Sequence, residues 1–279
     1  MKKIFITDLD GTLLQNDATL STYARKGLEE LIQKGVSISF ATARSIVSVK
    51  LIMGDLPLRL PVVCSNGAYI SDLKSGTHRA IQALPKPFDY ELLSLFKTAG
   101  FHPFVCSWHE GRDNLYIEPN LNEGMRHYRE DRIRAGDERL KDIENTFSVM
   151  GEKVICLNMI DRIEPLEEMQ AELNRRFPEQ LQTYIYQNGY GSDWYWLSVY
   201  DQLATKARAI SLLVNELGYS TEHLTVFGDN LNDISMFEIA RHKIATGNAR
   251  PELKALATEV IDTNEKDSVI DYIFAQIEA

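Results

Sequence analysis

At 279 residues, with 44% apolar and 25% charged side chains, the chain has the composition of a soluble globular protein long enough for two domains. Its formal net charge of −10 argues against a nucleic-acid backbone or an anionic membrane as the main partner, since both favour basic surface. A small anionic substrate is not excluded, because a metal or lysine can reverse the field inside a cleft.

Cys64, Cys106 and Cys156 show neither a disulfide framework nor metal-ligand spacing, and read as reduced core residues of a cytoplasmic protein. The apolar run Ile4, Phe5 and Ile6 is too short for a secretory signal, and no stretch approaches the ~20 apolar residues of a membrane span.

Residues 4–7 read as a buried strand that ends in Asp8-Leu9-Asp10-Gly11-Thr12, two carboxylates beside a turn glycine. Such a pair repels unless something cationic neutralises it. Ser21 is the predicted cap of a helix running to about residue 34, with Leu28, Leu31 and Ile32 on one face. A second strand over 36–41 completes a β-α-β unit and implies parallel pairing. It runs out into Thr42-Ala43-Arg44-Ser45, followed by a helix over 46–53. A third strand over 61–64 ends in Ser65-Asn66-Gly67-Ala68. Three polar strand ends in succession point to a shared site along one sheet edge.

From about residue 84 the texture changes. Pro85 and Pro87 punctuate the chain, a helix is predicted over 88–98, and short strands near 102–107 and 114–118. A strand over 154–159, a helix over 165–177 and strands near 183–187 and 194–199 follow. This order predicts a separate α+β domain with an antiparallel sheet. The charged run 126–139 mixes both signs and reads as a solvated helical face. The turn at 187–193, which contains Tyr190, leads into Trp194, Tyr195 and Trp196. One of these aromatics either contacts a leaving group or, as is commoner in hairpins, packs its own domain.

The α/β texture returns with a helix over 205–217, Lys206 at its start, and a buried strand over 224–227. That strand ends in Gly228-Asp229-Asn230-Leu231-Asn232-Asp233. Short apolar pieces at 244–246 and 260–261 and a helix over 267–277 complete the chain. The predicted fold is α/β: a Rossmann-like parallel-sheet core over 1–83 and 197–279, interrupted by an inserted α+β cap over 84–196. Every candidate ligand is an oxygen, which fits Mg²⁺.

The series Asp-Leu-Asp-Gly-Thr at 8–12, Ala-Thr-Ala-Arg at 41–44, Ser-Asn-Gly at 65–67, Lys206 and Gly-Asp-Asn-Leu-Asn-Asp at 228–233 resembles the haloacid dehalogenase superfamily. Within it, the chain is similar to the Cof-like phosphatases, which carry a large inserted α/β cap (type IIB). Ala-Thr-Gly-Asn-Ala at 245–249 also resembles a segment these proteins carry. The resemblance implies that Asp8 is the nucleophile, and that Asp10 is the acid and then the base. Thr42, Ala43, Arg44, Asn66, Gly67 and Asn232 would contact phosphate or substrate, and Lys206 would hold phosphoryl oxygens. Asp8, Asp229 and the carbonyl of Asp10 would ligate Mg²⁺, with Asp233 supporting them. Ala43 and Ala207 stand where the family commonly has glycine, which leaves Arg44 either a substrate contact or a structural partner.

The expected activity is Mg²⁺-dependent hydrolysis of small phosphorylated metabolites, sugar phosphates foremost, by a cytoplasmic monomer or weak homodimer. Asp10 argues against the related phosphorylating ATPases, which carry threonine there. The alternatives are a phosphomutase of the same architecture and a non-catalytic metabolite-binding relative.

Overall fold

Strand β1 (Ile4–Thr7) is buried along its whole length, as its run of apolar side chains predicts for a strand covered on both faces. The structure, a computed structural model, describes residues 3–187 and 193–278. Helix α1 (Thr22–Gln33) is capped by Ser21, whose hydroxyl accepts from Ala24 N at 2.9 Å, and buries Ala24, Leu28, Leu31 and Ile32. Strand β2 (Ser37–Phe40) pairs parallel to β1, with Thr7 opposite Phe40. Helix α2 (Ile46–Met53) starts from Ser45.

The third predicted strand behaves differently from the first two. β3 (Val62–Cys64) meets the parallel sheet through one bridge, Ala41 to Val63, and pairs antiparallel with β4 (Tyr69–Ser71). β4 in turn pairs with β5 (His78–Ile81). The cause is the turn between β3 and β4: Ser65, Asn66 and Gly67 all have positive φ and reverse the chain.

By its internal contacts the chain divides into two units, one built up to Ile81 and again from Thr205, the other spanning Gln82–Ala204. The second unit holds α3 (Phe88–Thr98), β6 (Phe104–His109), β7 (Arg112–Ile117), α4 (Glu123–Arg134) and β8 (Leu140–Asp142). It continues with β9 (Lys153–Asp161), α5 (Ile163–Arg176), β10 (Leu181–Gln187) and β11 (Tyr195–Asp201). Among the described residues these strands form one sheet in the order β10-β11-β9-β6-β7-β8, antiparallel apart from the parallel β7–β8 pair. Leu92, Leu93 and Phe96 of α3 and Leu166, Met169 and Leu173 of α5 pack on one face of it. Met125 of α4 packs with Phe104, Leu115, Ile117 and Ile160 on the other.

Two expectations for this unit are revised, and Trp196 follows the commoner of its two alternatives. The boundary lies after Ala204 and not at 196, because β11 stays in register with β10 and β9 through Tyr200. The charged run is not wholly solvated: Arg139 is nearly buried and clamps Asp137, Nε to Oδ1 at 2.8 Å and Nη2 to Oδ2 at 2.6 Å. Trp196 packs within its own unit, edge-on to Tyr128 at 4.7 Å and stacked on Tyr186 at 6.1 Å. The turn residues 188–192, with Tyr190, lie outside the described residues.

The first unit resumes with α6 (Lys206–Glu216), β12 (Leu224–Gly228), α7 (Ile234–Ile239), β13 (His242–Ala245), α8 (Pro251–Lys254), β14 (Glu259–Val260) and α9 (Ser268–Glu278). Its main sheet among the described residues runs β14-β13-β12-β1-β2, all parallel. Ile210, Leu213 and Val214 of α6 and Phe237 of α7 cover the face bearing Ile4, Ile6, Leu224 and Val226. On the opposite face Phe5 lies 6.4 Å from Phe227, whose ring meets Tyr272 of α9 edge-on at 5.4 Å. β1 and β12 are therefore central neighbours, and their carboxyl ends lie side by side. No helix among the described residues is long and apolar enough to cross a membrane.

Candidate active site

The β1 ladder continues one residue past the strand, where Asp8 N donates to Phe227 O at 3.0 Å. The chain then turns. Asp10 (φ −68°, ψ 126°) and Gly11 (φ 71°, ψ 0°) have the angles of a type II turn, whose third position favours glycine. Glycine is required there twice over, since a Cβ at Gly11 would lie 2.4 Å from Asp229 Oδ2. The turn separates the two carboxylates: Asp8 is 5% exposed, whereas Asp10 stands in solvent.

At the end of β12 the acidic run folds back on itself. Asp233 Oδ2 accepts from the backbone N–H groups of Asp229 and Asn230 at 2.9 and 3.0 Å. Its other oxygen takes Lys206 Nζ at 2.6 Å, and the same ammonium lies 2.9 Å from Asp8 Oδ1. Lys206, the first residue of α6, is 1% exposed, although a lysine in that position is ordinarily a surface residue. Thr12 Oγ1 donates to Asp229 Oδ1 at 3.0 Å, tying the first turn to the second.

Burial pushes the Asp8 carboxyl well above the usual carboxylate range; the Lys206 charge opposes this, and Asp233, Asp229 and Asp10 add to it. Burial and the charge of Asp233 push Asp229 up to about 7, against the Thr12 hydrogen bond and Lys206. For Lys206, burial works downward, but Asp233 and Asp8 outweigh it and hold the ammonium charged. Asp8, Asp229 and Asp233 each offer a carboxylate oxygen within 4.8 Å of the others, and Lys206 alone leaves this cluster short of positive charge. A dication with a preference for oxygen fits that donor set.

The remaining predicted residues lie around this centre. Arg44 holds Asp10 by two hydrogen bonds, Nε to Oδ2 at 2.7 Å and Nη2 to Oδ1 at 2.5 Å, and donates to Ser48 Oγ at 3.0 Å. Structural pairing is thus what Arg44 does in this structure. Thr42 is fully buried, and its hydroxyl accepts from Arg44 N at 3.1 Å across Ala43, which sits in the bend. Asn232 Nδ2 donates to Asn66 Oδ1 at 3.1 Å. Asn66 is 1% exposed, and its own Nδ2 has no hydrogen-bond partner among the described residues. Gly67 has φ 100°, and a Cβ there would lie 2.1 Å from Thr205 O, so its bareness lets the chain before Lys206 come close.

Reasoning from sequence did not single out Thr12, Thr246, Asn248 or Asn264. Thr12, Thr246 and Asn248 stand inside segments already noted for their resemblance, so a signal existed for all three. Asn264 follows a short edge strand and carries none.

A family model described as haloacid dehalogenase-like hydrolase matches residues 5–273. The chain is 27% identical over 293 residues to the 5-amino-6-(5-phospho-D-ribitylamino)uracil phosphatase YwtE of Bacillus subtilis strain 168, covering 97% of this chain and 96% of that one. It is 24% identical over 280 residues to the pyridoxal phosphate phosphatase YbhA of Escherichia coli strain K12, covering 99% and 98%. The solved structure of a haloacid dehalogenase-like hydrolase from B. subtilis shares its fold with a TM-score of 0.78 at 23% identity, over 96% and 97% of the two chains. With the family model spanning both halves of the parallel-sheet unit and the segment between them, the chain belongs to the haloacid dehalogenase-like hydrolases.

Proposed function

We propose that the chain is a Mg²⁺-dependent phosphomonoesterase that cleaves small phosphorylated metabolites through an aspartyl-phosphate on Asp8. One observation carries the reading: a buried carboxylate at the end of β1 lies against a buried lysine, with Asp229 and Asp233 completing an oxygen cluster. A purely structural ion pair has no need of this surplus of negative charge.

In the first step Asp8 Oδ attacks phosphorus and the bond to the leaving oxygen breaks, that oxygen taking a proton from Asp10. In the second step water gives its proton to Asp10 and attacks phosphorus, the bond to Asp8 breaks, and phosphate leaves. The Arg44–Asp10 pair has to open for either proton transfer. Lys206 and the Thr42 hydroxyl hold phosphoryl oxygens, and Asn66 Nδ2 donates to the substrate, a partner its buried amide lacks among the described residues. Asp8, Asp229 and the Asp10 carbonyl would hold Mg²⁺, braced by Asp233. When bound, the cation supplies neutralisation of charge on the transferring group.

The relatives named above are phosphatases of compounds that pair a phosphate with a heterocycle. The substrate class we propose therefore includes such heterocyclic phosphates beside sugar phosphates. The reading also carries a cytoplasmic location and a monomeric or weakly dimeric state, as expected from the sequence. The test is phosphate release by purified protein with saturating Mg²⁺ across a panel of both ester classes. Turnover of at least one class is expected. Isomerisation without phosphate release establishes a mutase instead, and tight binding of a panel member without turnover establishes a binding protein.

A further inference from the structure

The turn that carries Asp10 is held from outside by Asn248, and the segment that leaves it by Asn264. Gly11 O accepts from Asn248 Nδ2 at 2.7 Å and, at 3.4 Å, from Thr246 Oγ1. Asn248 is itself oriented, because its Oδ1 accepts the backbone N–H of Asn264 at 3.1 Å. Asn264 is buried, and its Nδ2 donates to Leu14 O at 2.8 Å and Asn16 Oδ1 at 3.1 Å. Between these two grips lies the segment 11–14, and Leu14 N closes it back onto Leu9 O at 2.8 Å.

Gly11 is the residue of this turn whose backbone rotates most freely. A type II turn converts to type I by rotation of the peptide between its second and third residues, here Asp10 and Gly11. A donor fixed on the Gly11 carbonyl therefore holds the Gly11–Thr12 peptide, and with it the Gly11 backbone against which the Asp10–Gly11 peptide would rotate. Arg44 fixes the far end of the Asp10 side chain, and Asn248 fixes the backbone that follows it.

We propose that Asn248, oriented by Asn264, is a positioning residue for Asp10, holding its carboxylate at one angle to Asp8. This rests on the reading of Asp10 as the acid of a phosphomonoesterase. The consequence is specific to the leaving group. An alkyl phosphate needs a proton on its departing oxygen, whereas p-nitrophenolate departs readily without one. Misplacing Asp10 thus slows the first ester far more than the second.

The test compares kcat/KM of the full chain for p-nitrophenyl phosphate and for an alkyl phosphate that it turns over. Asn248→Ala removes the donor from an exposed loop, and Asn248→Asp keeps the acceptor for Asn264 while losing the donor. Both are expected to lower kcat/KM for the alkyl phosphate about tenfold to a hundredfold and for p-nitrophenyl phosphate less than about threefold. In an Asp10→Asn background either change adds less than about twofold, because both act through one group. An equal fall for the two esters, a fall that persists in the Asp10→Asn background, or no fall overturns the proposal. A parent chain that hydrolyses neither ester overturns the phosphatase reading, and this inference with it.

Discussion

Lys206 and Asp8 form an ion pair of 2.9 Å in which neither side chain is more than 7% exposed. Removing the cation from such a pair leaves the carboxylates of Asp8 and Asp233 buried and uncompensated. Lys206→Met is expected to cost on the order of 2–4 kcal/mol of stability at neutral pH in the absence of divalent cation. Added Mg²⁺ restores part of it, because a bound dication replaces the missing charge. Thermal melts of parent and variant with and without Mg²⁺ measure this. A variant as stable as the parent in metal-free buffer contradicts the charge argument.

Asp229 sits between the two turns, hydrogen-bonded to Thr12 and within reach of the other two carboxylates. Asp229→Asn keeps the shape but removes an anionic ligand. The Mg²⁺ concentration for half-maximal activity is expected to rise at least about tenfold, and chelation of Mg²⁺ should abolish phosphate release by the parent. An unchanged Mg²⁺ dependence in the variant assigns the ion elsewhere.

Gly67 shows a backbone constraint of another kind. With φ 100° and a would-be Cβ 2.1 Å from Thr205 O, no side chain fits without moving the residue before Lys206. Gly67→Ala is expected to destabilise by on the order of 2–4 kcal/mol and to lower kcat, since Lys206 shifts with Thr205. Urea denaturation and steady-state kinetics together check both effects. A variant with parental stability removes the steric account.

The inserted unit carries its own acid-sensitive group. Burial works to raise Glu118, but Lys97, His102 at 2.8 Å, and the Thr146 N–H and hydroxyl at 2.7 and 2.8 Å outweigh it, lowering it from the ordinary 4.5 to about 2. The folded form therefore binds its proton less readily than the unfolded chain. The stability this confers is fully present above about pH 4.5 and is lost as pH falls towards 2. Glu118→Gln should be less stable than the parent at pH 7 by on the order of 2–3 kcal/mol, with the gap closing as the pH falls below 4. A gap of the same size at pH 7 and pH 3 contradicts this assignment.

What could be read in the sequence followed from local chemistry. Asp8 and Asp229 stand at the ends of short, wholly buried and largely apolar strands, and such strands in a parallel sheet leave one edge for a site. Their convergence with Lys206 and Asp233 was legible only through the ordered series that resembles a known family, since Lys206 by itself reads as a surface lysine. The direction of Asp10 was not, because a pair two residues apart looks alike until Gly11 adopts positive φ. The pairing of β3 with β4 depends on three consecutive positive φ values, two of them at residues other than glycine, which propensity does not foretell. Asn264 reaches Leu14 across 250 positions of sequence, and only folding brings them together. In the inserted unit, alternation announced the strands around Trp196, but its packing against Tyr128 and Tyr186 is a property of the sheet face.

The covalent role of Asp8 is tested most directly by phosphate release from Asp8→Asn at saturating Mg²⁺, with a melting curve to show that the variant is folded. The substitution keeps the size of the side chain beside Lys206 but removes the attacking oxygen anion. The account predicts a folded protein whose turnover is lower by at least about a thousandfold on every ester the parent cleaves. A folded Asp8→Asn variant that retains more than about a tenth of parental turnover contradicts it.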